Sequence, residues 1–326
     1  MRAIVHDHYG GPEVLRLEEI DRPSIGSGQV LVRVRAASVN PADIAFLTGR
    51  PGMVRMASGL RRPRHRVLGR DLAGVVEAVG SGVSDFAVGD EVYGEAGQAF
   101  AEFSVVTPAQ LWRKPARLTF EQAATVPLAG LTAWQALDRA PVRPGQRVLV
   151  NGASGGVGHF AVQIARAQGA EVTAVCSGRN AELVAGLGAE HVIDYHEVDY
   201  TTVGQQYDVI LDAVMSHSAA ETRRAMAPTG TYLLVGTSPS TGPGEGGPLG
   251  PLREIARVAG ASMRARPQRL ITVTAKPNRG ISALTGLIET GAVTPHIERT
   301  YPLAEVPDAL RHLATHHARG KLAIAV

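Results

Sequence analysis

Between residues 147 and 169 the chain reads Arg-Val-Leu-Val-Asn, then Gly152-Ala153-Ser154-Gly155-Gly156-Val157-Gly158. Phe160, Ala161, Ile164 and Ala165 then recur at helical spacing before Gly169. Glycines let a backbone pass close to a ligand, and a helix starting behind them offers unpaired N–H groups and the positive end of its dipole. Such a turn cradles a pyrophosphate. An ordinary tight turn would use the same residue types; the context favours the ligand, with a β-branched run before the glycines and a helical run after. Read strictly, the fingerprint is Ala153-x-Gly155-x-x-Gly158, with alanine in first place. Ser154, Gly155, Gly156 and Val157 are the expected ligand contacts.

Other chemistry-bearing residues are sparse. His312 and His316 stand one helical turn apart, but no glutamate follows the first, so they read as an exposed helix face and no metal site is expected. The basic run Arg61-Arg62-Pro63-Arg64-His65-Arg66 suits an anionic ligand or, more simply, solvent. Cys176 is the only cysteine, which excludes an intrachain disulfide and a cysteine-built zinc site and suits a reducing cytoplasm. A formal charge of +3 and 5% aromatic residues do not describe a nucleic-acid surface. No run approaches transmembrane length and no apolar signal region follows Met1, so membrane association is not expected.

Two kinds of element must position these residues. In the first hundred or so, short strands at 2–6, 14–20, 30–35, 72–79, 91–93 and 100–106 are separated by Gly and Pro turns, with a short helix opening at Asn40-Pro41-Ala42-Asp43. That is the pattern of a compact, barrel-like β unit. From Thr119, where Thr-x-x-Gln forms a capping box, helices and strands alternate: strands at 171–176, 191–195, 209–214, 231–235 and 270–274, helices at 180–187 and 218–227. Alternation implies a parallel sheet with right-handed crossovers. Residues 237–251, rich in Gly, Pro and Ser, read as a mobile loop, and the closing strand at 322–326 is expected to rejoin the first domain. The fold class is therefore α/β: a β-barrel domain (1–117 and 277–326) into which a doubly wound Rossmann domain (118–276) is inserted.

Seven motifs in order carry a resemblance that runs from end to end. They are Val39-Asn40-Pro41-x-Asp43, Leu68-Gly69-x-Asp71-x-Ala73-Gly74, Gly89-Asp90-x-Val92, Leu131-Thr132-Ala133, residues 151–158, Leu187-Gly-Ala-x-x-Val-Ile-Asp-Tyr195 and Gly320-Lys321. Together they resemble the zinc-independent quinone oxidoreductase branch of the medium-chain dehydrogenase/reductase superfamily. The resemblance implies a GroES-like β domain, a Rossmann domain, a nicotinamide cofactor and a homodimer. It also implies that Asn40 and Thr132 face the nicotinamide and its ribose, and that Tyr195, Gly236 and Lys321 are further cofactor contacts. Where the zinc-dependent branch carries Gly-His-Glu, this chain has Gly69-Arg70-Asp71.

Cofactor choice turns on the end of the second Rossmann strand, where an acidic residue would accept from the ribose 2′-hydroxyl of NADH. Here the sequence is Cys176-Ser177-Gly178-Arg179-Asn180, with no acidic residue in the run. Ser177 and Arg179 offer donors to a 2′-phosphate, so NADPH is expected. The tyrosine some relatives carry after the Asn-Pro-x-Asp motif is missing; the helix reads Ile44-Ala45-Phe46-Leu47, and the proton donor is not named by the sequence. The expected activity is hydride transfer to a quinone or an α,β-unsaturated carbonyl. An enoyl-thioester reductase is the alternative enzyme, and a weakly catalytic NADPH-binding sensor or nucleic-acid-binding protein the alternative from another class.

Overall fold

The computed structural model describes residues 1–235 and 267–326, which fall into two compact units. The first comprises Met1–Leu131, Pro277–Glu289 and Pro295–Val326, and the second Thr132–Lys276 and Thr290–Thr294. The first break comes after Leu131 and not after residue 117. The cause is helix Phe120–Ala124, which packs on strands of the first unit. It starts from the anticipated capping box: Gln122 N–H donates to Thr119 Oγ1 at 3.2 Å, and Thr119 N–H donates to Gln122 Oε1 at 3.1 Å.

The first unit is organised by two long strands. One is Val30–Ser38, whose Val30, Val32 and Val34 are buried while Arg33 and Arg35 face out. The other is Asp71–Val79, paired antiparallel to it with Ser38 opposite Asp71. Strand Glu91–Glu95 and then Trp112–Arg113 extend the sheet beyond Asp71–Val79. On the far side of Val30–Ser38, strand Phe103–Val106 pairs with its N-terminal half and strand Lys321–Ala325 with its C-terminal half. The closing strand does rejoin the first unit. A parallel edge strand, Ile297–Pro302, lies outside it. Val32, Leu72, Val92, Phe100, Leu310 and Ile324 centre the core.

In the second unit six parallel strands are labelled in chain order: β1 Arg147–Asn151, β2 Glu171–Cys176, β3 His191–Asp194, β4 Tyr207–Asp212, β5 Met226–Leu234 and β6 Arg269–Thr272. Their order across the sheet is β3-β2-β1-β4-β5-β6. Strand order therefore reverses between β1 and β4, and in open parallel sheets ligands bind beyond the carboxyl ends of the strands at that reversal. Residues 152–158 leave the sheet there. The loop expected at 237–251 lies outside the described residues.

Candidate functional site

Gly152 turns the chain out of β1 with φ +80°, and helix Gly158–Ala167 begins six residues later. Gly155 N–H closes the turn on Gly152 O at 3.0 Å. A Cβ on Gly158 would lie 2.1 Å from Gly152 O, so this glycine serves the close return of the backbone. Gly155 differs: its Cβ would meet only Gly152 O, at 3.3 Å. The N–H groups of Gly156 and Val157 donate to no atom among the described residues. Free donors at a helix start, with a glycine whose missing Cβ would crowd only Gly152 O, are what a pyrophosphate requires. Across the reversal, Asp212 fixes the facing loop. One carboxylate oxygen accepts from Asn151 Nδ2, Val214 N–H and Met215 N–H, and the other from the Tyr232 hydroxyl.

At the end of β2, Ser177 is buried and Arg179 is exposed, with no ion pair or hydrogen bond among the described residues. Buried Asn180 links this corner to the glycine loop, donating to Ser154 Oγ at 3.0 Å and Ser177 Oγ at 3.1 Å, while its own Oδ1 has no partner. The sequence run holds no acidic residue, yet the structure brings one in. Parallel pairing sets Asp194 of β3 opposite Cys176, and Asp194 Oδ2 accepts from Gly178 N–H at 2.8 Å. A carboxylate therefore does stand at this strand end, supplied by the neighbouring strand. Tyr195, next in the chain, is 52% exposed. The Cys176 thiol, pushed up to about 11 by burial, is no nucleophile.

In the first unit, register converges residues far apart in sequence. Ala323 lies opposite Ser38, and continuing that antiparallel ladder by two brings Lys321 beside Asn40. Lys321 Nζ donates to Asn40 Oδ1 at 2.5 Å and to Val39 O at 3.2 Å. Asn40 Nδ2 donates to Asp71 Oδ2 at 3.0 Å, where Ser38 Oγ also donates at 3.2 Å. The other Asp71 oxygen accepts from Leu128 N–H at 3.1 Å. Asp43 caps the helix Pro41–Thr48 by accepting Asn40 N–H at 2.8 Å, and its Oδ1 is buried without a partner. Burial pushes Asp43 up to about 7 and Asp71 up to about 6, and lowers Lys321. Lys321 and Asp71 thus fix the Asn40 amide from both ends. Lys321 reaches the site through Asn40, a contact no spacing in the sequence reveals.

The remaining residues named from sequence are dispersed. Thr132 is buried on helix Pro127–Arg139 in the second unit, and Gly236 lies outside the described residues. His312 is held by the Tyr301 hydroxyl at 2.9 Å. Among the described residues no group of three or more His, Cys, Asp or Glu could hold a metal ion. In the basic run, Arg66 is paired with Asp7 and Glu18, while Arg61 and Arg62 are exposed without ion pairs among those residues. No described helix is long and apolar enough to cross a membrane.

Comparison with known proteins agrees with this architecture. The model of the alcohol dehydrogenase GroES-like domain matches residues 26–116, and the model described as zinc-binding dehydrogenase matches residues 187–324. The chain is 34% identical to the mouse NAD(P)H oxidoreductase RTN4IP1, mitochondrial, over all of this chain and 89% of the relative. It is 33% identical to the Arabidopsis thaliana NADPH-dependent alkenal/one oxidoreductase, chloroplastic, over 99% of this chain and 79% of the relative. Among solved structures, the quinone oxidoreductase from Coxiella burnetii superposes with a TM-score of 0.84 at 30% identity, covering 100% of this chain and 99% of that one. A GroES-like unit joined to a dinucleotide-type parallel sheet defines an oxidoreductase of the medium-chain dehydrogenase/reductase superfamily, and the chain belongs to its quinone oxidoreductase branch.

Proposed function

We propose that the protein is an NADPH-dependent reductase that transfers hydride, without zinc, to the electron-poor double bond of a quinone or an α,β-unsaturated carbonyl. The observation that carries this reading is the cradle at the strand reversal, with free N–H groups at Gly156 and Val157 where helix Gly158–Ala167 begins. Those residues and Ser154 would hold the pyrophosphate, and Ser177, Arg179 and Tyr195 the adenosine end with its 2′-phosphate. Asn40, Thr132 and Gly236 would take the nicotinamide end, with Lys321 acting through Asn40. When bound, the nicotinamide supplies the hydride. The alkenal/one and quinone relatives support the substrate class.

Zinc independence rests on Gly69-Arg70-Asp71: a guanidinium stands where the zinc-dependent branch has a histidine, and Asp71 is committed to Asn40, Ser38 and Leu128. The resemblance carries the proposal of a homodimer. The single buried thiol suits a reducing compartment, for which we propose the cytoplasm. The test is NADPH oxidation against a panel of quinones and enones, with and without a strong chelator. Turnover of at least one such substrate, unaffected by chelation, is expected. No turnover across the panel overturns the reading, and turnover that chelation abolishes and zinc restores overturns its metal-free part.

A further inference from the structure

The first unit contains a cavity of about 360 Å³ whose wall combines Phe46, Val67, Leu68 and Val105 with the guanidinium of Arg70 and the carboxyl of Asp43. Its wall mixes apolar and polar residues, and Arg70 is its permanently charged cation. Gly69 places that group: its φ of +94° turns the chain, and a Cβ there would come within 2.8 Å of Phe100 N. Arg70 follows directly and precedes Asp71, the residue that holds Asn40. The guanidinium is braced on one edge, where Nε and Nη2 both donate to Glu95 Oε1, the former at 3.0 Å. Glu95 is itself anchored through its backbone: its N–H donates to Asn278 Oδ1 and its carbonyl accepts from Asn278 Nδ2, each at 3.0 Å. Phe46 lies below, with the Arg70 Cζ 5.4 Å from the ring centroid. Nη1 is left with no hydrogen bond among the described residues, and the Arg70 side chain is 31% exposed.

The other polar groups of the wall do not duplicate it. His6 uses Nδ1 as donor to His8 O, which leaves buried, unpartnered Nε2 as an acceptor in the neutral ring. Burial lowers the pKa of His6, which favours that neutral ring. Asp43 presents an acidic oxygen without a partner. His65, Ser58, Gln98 and Gln110 also line the space, but of the wall residues only Arg70 carries a permanent charge and is braced by a carboxylate.

We propose that Arg70 Nη1 receives the carbonyl oxygen of the reducible substrate, so that the cavity takes a conjugated ketone, aldehyde or quinone with its apolar body against Phe46 and Val105. The assignment rests on the reductase reading and names its oxygen-binding residue. When hydride adds to the β-carbon of an enone, the double-bond pair shifts to the bond between the α-carbon and the carbonyl carbon. The carbonyl pair then goes to oxygen. Arg70 holds that enolate oxygen until a solvent proton adds to the α-carbon, the nicotinamide being oxidised in the same turnover. A donor that is already oriented where charge develops acts mainly on the transition state.

Two readouts test this. 4-Nitrophenol mimics the enolate as a flat conjugated body carrying an oxygen anion, and its ionisation is visible as a yellow band. Added to cofactor-free wild type in mildly acidic buffer, it should bind as the anion and raise that band. Arg70→Met should abolish the rise and Arg70→Lys should retain part of it. The double variant Arg70→Met/Glu95→Gln, which leaves no lone carboxylate, should behave as Arg70→Met and keep its fold. In turnover, loss of the donor should lower kcat about 100-fold, with the NADPH-induced rise in Tm unchanged. The assignment is overturned if wild type does not raise the band, or if the band and kcat survive in Arg70→Met or in the double variant. Failure of wild type to reduce any enone would instead remove the reductase reading, while the band still decides whether Arg70 binds an oxyanion.

Discussion

Replacing Lys321 with methionine should remove one of the two cations that face the buried Asp71 and Asp43 carboxyls, Arg70 being the other. Lys321 is 4% exposed and donates to Asn40 Oδ1. Lys321 reaches Asp71 through Asn40 and not by a direct ion pair, so the main loss is the partner of a buried amide oxygen, about 1–3 kcal/mol. At roughly 2–4 °C of Tm per kcal/mol for a unit of this size, the fall is about 2–12 °C. Its pH dependence is the sharper expectation. In wild type, Asp43 at about 7 and Asp71 at about 6 lie above the ordinary carboxylate value, so the folded state holds more protons than the unfolded one between about pH 4 and 7. Stability conferred by those protonated carboxyls is present at low pH and lost as pH rises through the folded values. Without the ammonium both values move further up, and the loss continues above pH 7. Thermal unfolding of the cofactor-free protein should therefore show the variant further below wild type near pH 8 than near pH 5. A deficit of equal size at both pH values, or none at pH 8, would refute the reasoning.

At the adenosine end, Arg179→Ala should weaken NADPH about 10- to 100-fold by titration and leave NADH nearly unchanged, as one charge-assisted bond is lost. Asp194→Asn should tighten NADPH a few-fold to about tenfold, because a carboxylate near a 2′-phosphate is removed while an amide oxygen can still accept Gly178 N–H; unchanged NADPH affinity would place the phosphate elsewhere. In the cradle, Gly155→Val should lose the rise given by NADPH, with a smaller fall in the cofactor-free melting temperature than at Gly158, since its Cβ would meet Gly152 O at 3.3 Å. Gly158→Ala should lower the cofactor-free melting temperature, since its Cβ would lie 2.1 Å from Gly152 O.

The parts of the fold visible in the sequence were those written in short-range periodicity. Alternating Val30, Val32 and Val34 gave a strand, the run at 148–150 and its glycines gave a strand, turn and helix, and Thr119 with Gln122 gave a helix start that the hydrogen bonds reproduce. Strand Ile297–Pro302 was missed because Glu298, Arg299 and Thr300 give an edge strand no apolar alternation. The helices at Ile281–Glu289 and Val306–Ala314 lie in a tail of mixed composition, where only the spacing of His312 and His316 suggests a helix; that helix ends at Ala314, so His316, at φ +59°, does not share its face. Site residues follow the same division. Asn40 and Lys321 were named through motifs, but their hydrogen bond depends on the register of two strands 281 residues apart in sequence. Asp194 was missed as a neighbour of the Gly178 turn because it belongs to the adjacent strand and reaches it only through sheet pairing.

The position of Arg70 beside Asp71 bears on the metal-free chemistry proposed for this site. In the zinc-dependent branch the position before Asp71 supplies a metal ligand; here it supplies a guanidinium. Zinc would contribute a Lewis-acid charge at a substrate oxygen and could ionise a bound water. A guanidinium cannot ionise water, yet it stays protonated at any working pH and carries its charge on donors of fixed direction. Glu95 takes one edge of Arg70 and leaves Nη1 unbonded, so the donor's direction is set before substrate arrives. Replacing a ligand by a cation thus does more than remove a metal site. On the proposed reading it would trade a centre suited to alcohol oxidation, where an alkoxide must be generated, for one suited to holding an enolate, with the braced Arg70–Glu95 pair as the group that holds it.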